Sequence, residues 1–249
     1  MKENKYFCIN LRPPHQAAEL TQLLTEIGAK VFEFPTLEVS SADANVNIGK
    51  GWVAATSANA FRFLKDPQCL KDSKIAVIGG HTGMFAKQMG HDLAFVSEIA
   101  QSGPFGDSLG RYLSCIGVTN VTFLKGNNAG DDFQKAIEKY SIVCEGATVY
   151  KVKKIVKSQT ELSQLTEFVD HVSPSSIVIF ATSSLAIESF VESLHKISEE
   201  ITKRVLGSAR IIVIGPKTAE KAKKLGFRNV ALSDEVSVED MVQILLSHE

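Results

Sequence analysis

Residues 75–90 read IAVIGGHTGMFAKQMG and residues 211–226 read IIVIGPKTAEKAKKLG. They align without a gap and agree at eight of sixteen positions: Ile75/Ile211, Val77/Val213, Ile78/Ile214, Gly79/Gly215, Thr82/Thr218, Ala86/Ala222, Lys87/Lys223 and Gly90/Gly226. Each copy is a β-branched run, a Gly-x-x-Thr turn and an amphipathic stretch ending in glycine. The chain therefore writes one strand–turn–helix unit twice, 136 residues apart. The likeness extends outward. Upstream, WVAATSANAFRFL (52–64) matches IVIFATSSLAIESF (177–190) as strand, Thr-Ser turn and helix, and downstream LAFVSE (93–98) matches NVALSDE (229–235). A looser third pair sets FCINLRPPHQAAELTQLL (7–24) beside VTFLKGNNAGDDFQKAI (121–137), each a strand, a basic residue and a polar turn into a helix.

Short β-branched runs alternate with amphipathic stretches along almost the whole chain, the pattern of parallel sheets covered by helices. Strands are expected at 5–11, 30–35, 51–56, 74–79, 92–96, 120–124, 143–152, 176–182, 210–214 and 229–232. Helices are expected at 15–27, 58–65, 82–89, 105–116, 131–140, 159–170, 184–196, 217–225 and 238–247, with Gly28, Gly90 and Gly226 placed as C-caps. The order of the repeats assigns one lobe to both termini, residues 1–36 with 154–249, and a second, inserted lobe to 37–153. The fold class is thus α/β: two similar lobes, each a parallel sheet flanked by helices, joined by two crossing linkers with a cleft between them. SSADANVNIGKG (40–51) reads as the loop entering the second lobe.

The totals exclude several classes. A chain of 249 residues with 44% hydrophobic and 22% charged residues is ordinary globular composition. Net charge of −1 argues against wholesale nucleic-acid binding. No apolar run is long enough to cross a bilayer, and the amino terminus lacks an apolar stretch followed by a small-residue cleavage site, so a cytoplasmic protein is expected. Cys8, Cys69, Cys115 and Cys144 have no metal-ligand or disulfide spacing; Cys8, Cys115 and Cys144 fall in apolar patterns and are expected to be buried thiols. There is no GxGxxG, no P-loop ending after GGHTG (79–83) and no GxSxG elbow, so neither nucleotide, cofactor nor metal is expected.

Ligands of open parallel sheets sit beyond the carboxyl ends of the strands. The repeated turns all lie there: Thr56-Ser57, Gly79–Thr82, Lys125-Gly126, Thr182-Ser183, Gly215–Thr218 and Arg12. Each opens a helix, whose free N–H groups and positive dipole end attract anions by about 0.3–1 kcal/mol apiece. A single Ser or Thr at such a turn is ordinarily a cap. Six of them sharing one edge describe a surface for a polyanion.

In the order and spacing of its motifs, the chain resembles the uroporphyrinogen-III synthase family over essentially its whole length. The residues that carry the resemblance are LRPPHQAAELTQLLTEIGAKVFEFPTLEV (11–39), TSANAFRFL (56–64), KIAVIGGHT (74–82), FLKGNNAGDDFQKAIEKYSIVCEGATVYK (123–151), ATSSLAIESF (181–190) and VIGPKTAEKAKKLGF (213–227). The resemblance implies a lyase of tetrapyrrole (haem) biosynthesis. Its substrate is hydroxymethylbilane, which carries an acetate and a propionate on every ring. The enzyme expels the terminal hydroxyl as water and closes the macrocycle with ring D inverted, by the usual proposal through a spiro-pyrrolenine. It also implies Tyr150 as the residue that protonates the departing hydroxyl or faces the resulting cation, with Thr82 and Thr218 as hydrogen-bonding partners of carboxylates or leaving water. Ser57, Ala58, Asn59, Gly79, His81, Gly126, Ser183 and Gly215 then present hydroxyl, amide, imidazole and backbone groups to the substrate. Arg12, Lys125 and Lys217 supply positive charge. Departures are the Lys at 125, where the family often has Arg, the acidic NNAGDD (127–132), and Gly80-His81 in place of the Pro216-Lys217 pair.

A monomer is expected, with transient contact with hydroxymethylbilane synthase, which supplies the substrate, left open. A two-lobed small-anion binding protein without catalysis is the alternative reading. A regulatory protein keeping this fold as a sensor would need a DNA-binding module, for which 249 residues leave no room.

Overall fold

A computed structural model describes residues 6–42, 48 and 51–247. It divides into two compact units, Met1–Glu38 with Lys153–Glu249, and Val39–Val152. One copy of the opening repeat falls in each.

The first unit holds β1 (Phe7–Asn10), α1 (Pro14–Glu26), β2 (Lys30–Glu33), α6 (Gln159–Asp170), β9 (Ile177–Ala181), α7 (Ser184–Ile197), α8 (Glu199–Ser208), β10 (Arg210–Val213), α9 (Pro216–Lys224), β11 (Asn229–Leu232) and α10 (Val238–Leu246). The second holds β4 (Trp52–Ala55), α2 (Asn59–Arg62), β5 (Lys74–Ile78), α3 (Gly79–Gln88), β6 (Leu93–Ser97), α4 (Ser102–Cys115), β7 (Asn120–Gly126) and α5 (Asp132–Glu138). Two strands run across the division, β3 (Leu37–Ser41) on the way in and β8 (Val143–Lys154) on the way out. They are sheet neighbours. Hydrogen bonds from Ala42 N to Val149 O (2.9 Å) and from Ile155 N to Thr36 O (2.9 Å) give them an antiparallel register, since 36 meets 155 as 42 meets 149.

In the first unit the strand order is β11-β10-β9-β1-β2, every recorded pair parallel. In the second it is β3-β8-β7-β4-β5-β6, again parallel from β8 to β6. Both sheets are covered on two faces, and alternation along the strands decides which side chain meets which helix layer. On β4 and β5, Trp52, Ala54, Ala76 and Ile78 join Phe105, Leu109 and Phe133 of α4 and α5. Val53, Ala55, Ile75 and Val77 join Phe61 of α2 and Ala86 of α3 on the other face. In the first unit Cys8, Val178, Phe180 and Ile212 meet Leu20 and Leu24 of α1 and Met241 of α10. Each fully buried Leu, Ile or Phe contributes roughly 1.5–3 kcal/mol, so these layers dominate folding.

The expected elements are present to within a few residues at their ends, and Gly28, Gly90 and Gly226 take φ of 81°, 85° and 97° at their helix ends. Three differences have physical reasons. No strand was expected at Leu37–Ser41; its pattern is too short and polar to declare itself and it exists because β8 pairs with it. No helix was expected between 197 and 209, yet α8 is capped by the Ser198 side chain accepting from Ile201 N (3.1 Å) and buries Ile201 and Val205 one turn apart. Cys115, expected to be buried, is exposed: α4 turns Phe105, Leu109 and Leu113 inward, and two residues on from Leu113 points away from that face. Of the entry loop expected at 40–51, residues 43–47 and 49–50 lie outside the described residues. Among the described residues, no helix is long and apolar enough to cross a membrane.

Two polar clusters fix the first unit where the chain returns to it. Lys154 donates to Glu192 (2.6 Å) and lies 3.6 Å from Glu188, which also pairs with Lys221. Four residues on, Ser158 and Glu161 form a capping box at the start of α6, with the nearly buried Lys157 ammonium 2.8 Å from Glu161 and over the Phe34 ring.

Glycines let α4 and α5 pack closely. A methyl at Gly106 of α4 would lie 2.6 Å from the Phe133 carbonyl oxygen and 2.9 Å from Ala136 Cβ of α5, while one at Gly110 would strike the Tyr140 ring. Gly106→Ala should therefore destabilise the protein by about 1–3 kcal/mol despite alanine's better helix propensity. Urea unfolding would show a lower midpoint; an unchanged or raised midpoint would contradict this packing.

Candidate active site

Parallel strands place every strand's carboxyl end, and so every following helix start, on one edge of the sheet. In the second unit this edge collects residues after β4, β5 and β7 and on β8. Ser57 ends the turn after β4; its Oγ accepts from Asn59 N (3.2 Å) and its carbonyl from Ala60 N (3.0 Å), which starts α2. Ala58 is buried there and Asn59 half-buried. After β5, Gly79 takes φ of +65°, a left-handed conformation that lets the helix begin at once. Consequently Thr82, expected in a turn, lies inside the first turn of α3, only 6% exposed, while His81 faces solvent. The Thr82 hydroxyl makes no hydrogen bond among the described residues.

Tyr150 is half-buried on β8, opposite Gly126 at the end of β7, where the register shifts by a bulge. Its ring lies where a side chain at 126 would be: a methyl there would come 2.6 Å from Cε2, 2.7 Å from Cζ and 3.0 Å from the phenol oxygen. The Ser57 side chain stands near enough to the phenol to lower its pKa. Burial raises the Tyr150 pKa above its ordinary 10.0, and Ser57 and the Gly126 backbone offset part of that rise. The phenol is therefore kept neutral near pH 7, with a proton to give.

Tyr150 packs with the Phe61, Ala86 and Leu124 layer, the same face as α2 and α3. Lys125 does not join it. Alternation along β7 sends its side chain to the Phe123 face, where it lies across Gly146; a methyl at 146 would be 2.9 Å from Lys125 Cε and 3.0 Å from Nζ. Lys125 and Gly126, expected to act together, are thus separated by the sheet. The acidic 131–132 stretch is locally accounted for: Asp131 pairs with Lys135 at 2.6 Å, which lowers its pKa.

The first unit repeats the arrangement at its own carboxyl edge. Asn10, fully buried, donates to Ala17 O (3.0 Å) and Thr21 Oγ1 (3.1 Å) and accepts from Arg12 N (3.1 Å), fixing the exit from β1. Arg12 is 8% exposed, its Nη1 3.2 Å from Glu19, and its Nε has no partner among the described residues. Burial lowers its pKa and Glu19 offsets this. Ser183 precedes α7, and the next residue, Ser184, donates to the Lys217 carbonyl (3.3 Å), tying the starts of α7 and α9 together. Gly215 caps α9, Lys217 is exposed, and Thr218 is buried at 7% with no hydrogen bond to its hydroxyl among the described residues, as for Thr82. A cavity of about 760 Å³ in this unit, lined by Tyr6, Arg210, Asn229 and Ile244 among others, contains none of these residues. Among the described residues no group of three or more His, Cys, Asp or Glu is gathered as a metal site.

The sequence alone missed three contacts here: Ser57 with Tyr150, Tyr150 over Gly126, and Lys125 over Gly146. All depend on β4, β7 and β8 being neighbours, and a glycine at 126 and at 146 was the one local sign.

Comparison with known proteins places the chain. The family model described as uroporphyrinogen-III synthase HemD matches residues 18–243. A relative named porphyrin biosynthesis protein HemD, from Ruminiclostridium josui, is 26% identical over 258 aligned residues, covering 94% of this chain and 47% of that protein. The chain thus spans about half the length of the curated relative it matches. Similar solved structures are uroporphyrinogen-III synthetase from Helicobacter pylori (TM-score 0.69, 15% identity, 98% of this chain and 100% of that one) and a mutant uroporphyrinogen III synthase from Thermus thermophilus (TM-score 0.59, 12% identity, 97% and 98%). At these identities the likeness shows a shared fold.

Alkaline titration followed by tyrosine absorbance, wild type minus Tyr150→Phe, isolates one phenol from the four. The difference step is expected above pH 10.0, the ordinary value. A step at or below it would mean that the phenol is neither buried nor held as described.

Proposed function

The chain belongs to the uroporphyrinogen-III synthase family, and on that premise we propose that it cyclises hydroxymethylbilane to uroporphyrinogen III. Water is lost and ring D inverted. The observation that carries this is the half-buried Tyr150 ring lying on Gly126, with its phenol oxygen beside the bare backbone at a carboxyl-terminal sheet edge. In the reaction the bond from the terminal carbon to its hydroxyl breaks, the oxygen takes a proton and leaves as water, and the pyrrole nitrogen's electrons stabilise the cation left behind. Tyr150 is the donor of that proton and afterwards the oxygen facing the cation. A phenol kept protonated suits both, since general-acid help of this kind is worth about 10²–10⁴ in rate.

The remaining residues hold rather than react. β5 lies three strands from β8, roughly 14 Å at about 4.8 Å per strand, so Thr82 and Tyr150 serve different parts of a substrate. Thr82, the N–H groups around Gly79 and Ala58, and the Asn59 amide receive side-chain carboxylates in the second unit, with His81 at their margin. Arg12, Ser183, Gly215, Lys217 and Thr218 supply equivalent anchors in the first. The matched threonines support this reading, because Thr82 and Thr218 stand at equivalent places in the first turns of α3 and α9, each after a strand of the repeat. Lys125 reaches the substrate only by leaving Gly146, and Gly126 contributes chiefly through Tyr150. Closure without an enzyme gives the uninverted isomer, so holding the chain is much of the catalysis; a preference of about 3 kcal/mol between closures gives roughly hundredfold selectivity.

The test is an isomer assay. Purified protein is given freshly generated hydroxymethylbilane, the products are oxidised, and type I and type III porphyrins are resolved by chromatography. Predominant type III is expected. Type I at the rate seen without protein would overturn the proposal and leave an anion-binding protein.

A further inference from the structure

Strand β7 ends at Gly126: the backbone turns away, with Ala129 N donating to Gly126 O at 3.1 Å. β8 continues past this point to Lys154, which would leave its polar groups beyond Tyr150 without a strand to pair with on that side. Asn127 takes the place of that strand. Its backbone N–H donates to Tyr150 O (3.1 Å), its Oδ1 accepts from Val152 N (2.8 Å) and its Nδ2 approaches Val152 O (3.4 Å). One residue thereby grips β8 at Tyr150 and again two residues later, while its neighbour Gly126 offers the bare backbone on which the phenol lies. An exposed turn asparagine that only solvates itself would make no such pair of contacts to a strand 25 residues away in sequence.

We propose that Gly126 and Asn127 are a two-residue positioning device for Tyr150: Gly126 fixes the ring's plane and depth, and Asn127 splints β8 so that the ring cannot rock. Asn127 meets only the backbone of β8, and Gly126 meets the phenol only through its own backbone. The inference rests on Tyr150 being the reacting phenol, but its structural half stands without that.

A methyl at 126 strikes the ring itself, and displacement of a catalytic group by about 1 Å can cost up to roughly a hundredfold. In Gly126→Ala, kcat should fall about ten- to hundredfold while KM stays within about twofold. Asn127→Ala should lower kcat about three- to tenfold, and Asn127→Asp, which keeps the acceptor for Val152 N, should restore most of it. In a Tyr150→Phe background neither change should lower kcat by more than about twofold further, because both act through the phenol. The substrate-free readout is the tyrosine difference titration: in Gly126→Ala and Asn127→Ala the Tyr150 step should move back toward its ordinary value. Unchanged kcat and an unchanged titration step in both variants would overturn the proposal, as would losses that add in full to Tyr150→Phe. The Asn127 variants alter an exposed turn, so they report even where Gly126→Ala fails to fold. A wild type that yields only type I porphyrin would sink the enzymatic reading alone, since the titration shift would still decide whether the device positions the ring.

Discussion

Parallel pairing is the constraint from which the rest follows. Because β8, β7, β4 and β5 all run the same way, their carboxyl ends share an edge, and each connection must carry a helix back across a face before the next strand begins. Every helix start that directly follows one of these strands, with its unpaired N–H groups, therefore collects at that edge without any residue having been chosen to put it there. β11, β10, β9 and β1 do the same in the other unit. A chain that duplicates this topology duplicates its anion-seeking edge as a consequence. The sixteen-residue repeat records this.

Against that shared background one feature is unlike the others. At most of the turns a hydroxyl or a backbone N–H is offered. At the end of β7 a glycine removes the side chain, and a phenol from the next strand occupies the space, with Ser57 after the strand beyond acting on its proton. Three adjacent strands are spent on holding one oxygen. Burial and hydrogen bonding act in opposite directions on its proton, and burial wins. A neutral donor results, which is what a departing hydroxyl requires and what a carboxylate anchor does not.

Much of this could be read before any coordinates. Periodicity located nearly every strand and helix because buried parallel strands are continuous apolar runs, such as IVIFA, and the helices over them bury residues at 3.6-residue spacing. The carboxyl-edge residues were legible for the same reason: they follow those runs. What escaped were elements made by distant partners. Leu37–Ser41 is a strand only beside β8, and α8 is short enough that its Ser198 cap and two inward apolar residues, Ile201 and Val205, are a faint signal. Lys125 and Gly126 looked like a single turn, but adjacent residues on a strand face opposite ways, and only the sheet order reveals that one meets Gly146 and the other Tyr150. Cys115 was misplaced because it follows Leu113, the last inward residue of α4, by two positions, which on a helix is the opposite side.

The account turns on the phenol of Tyr150 doing chemistry and not merely filling a strand position. Single-turnover cyclisation of hydroxymethylbilane by Tyr150→Phe, with the isomers resolved as they form, addresses that directly, because phenylalanine keeps the ring on Gly126 and removes only the oxygen. The account predicts that type III formation slows by about a hundredfold or more, roughly 2.7 kcal/mol of barrier, with type I taking its place and the folded stability nearly unchanged. Type III product at the wild-type rate would contradict it.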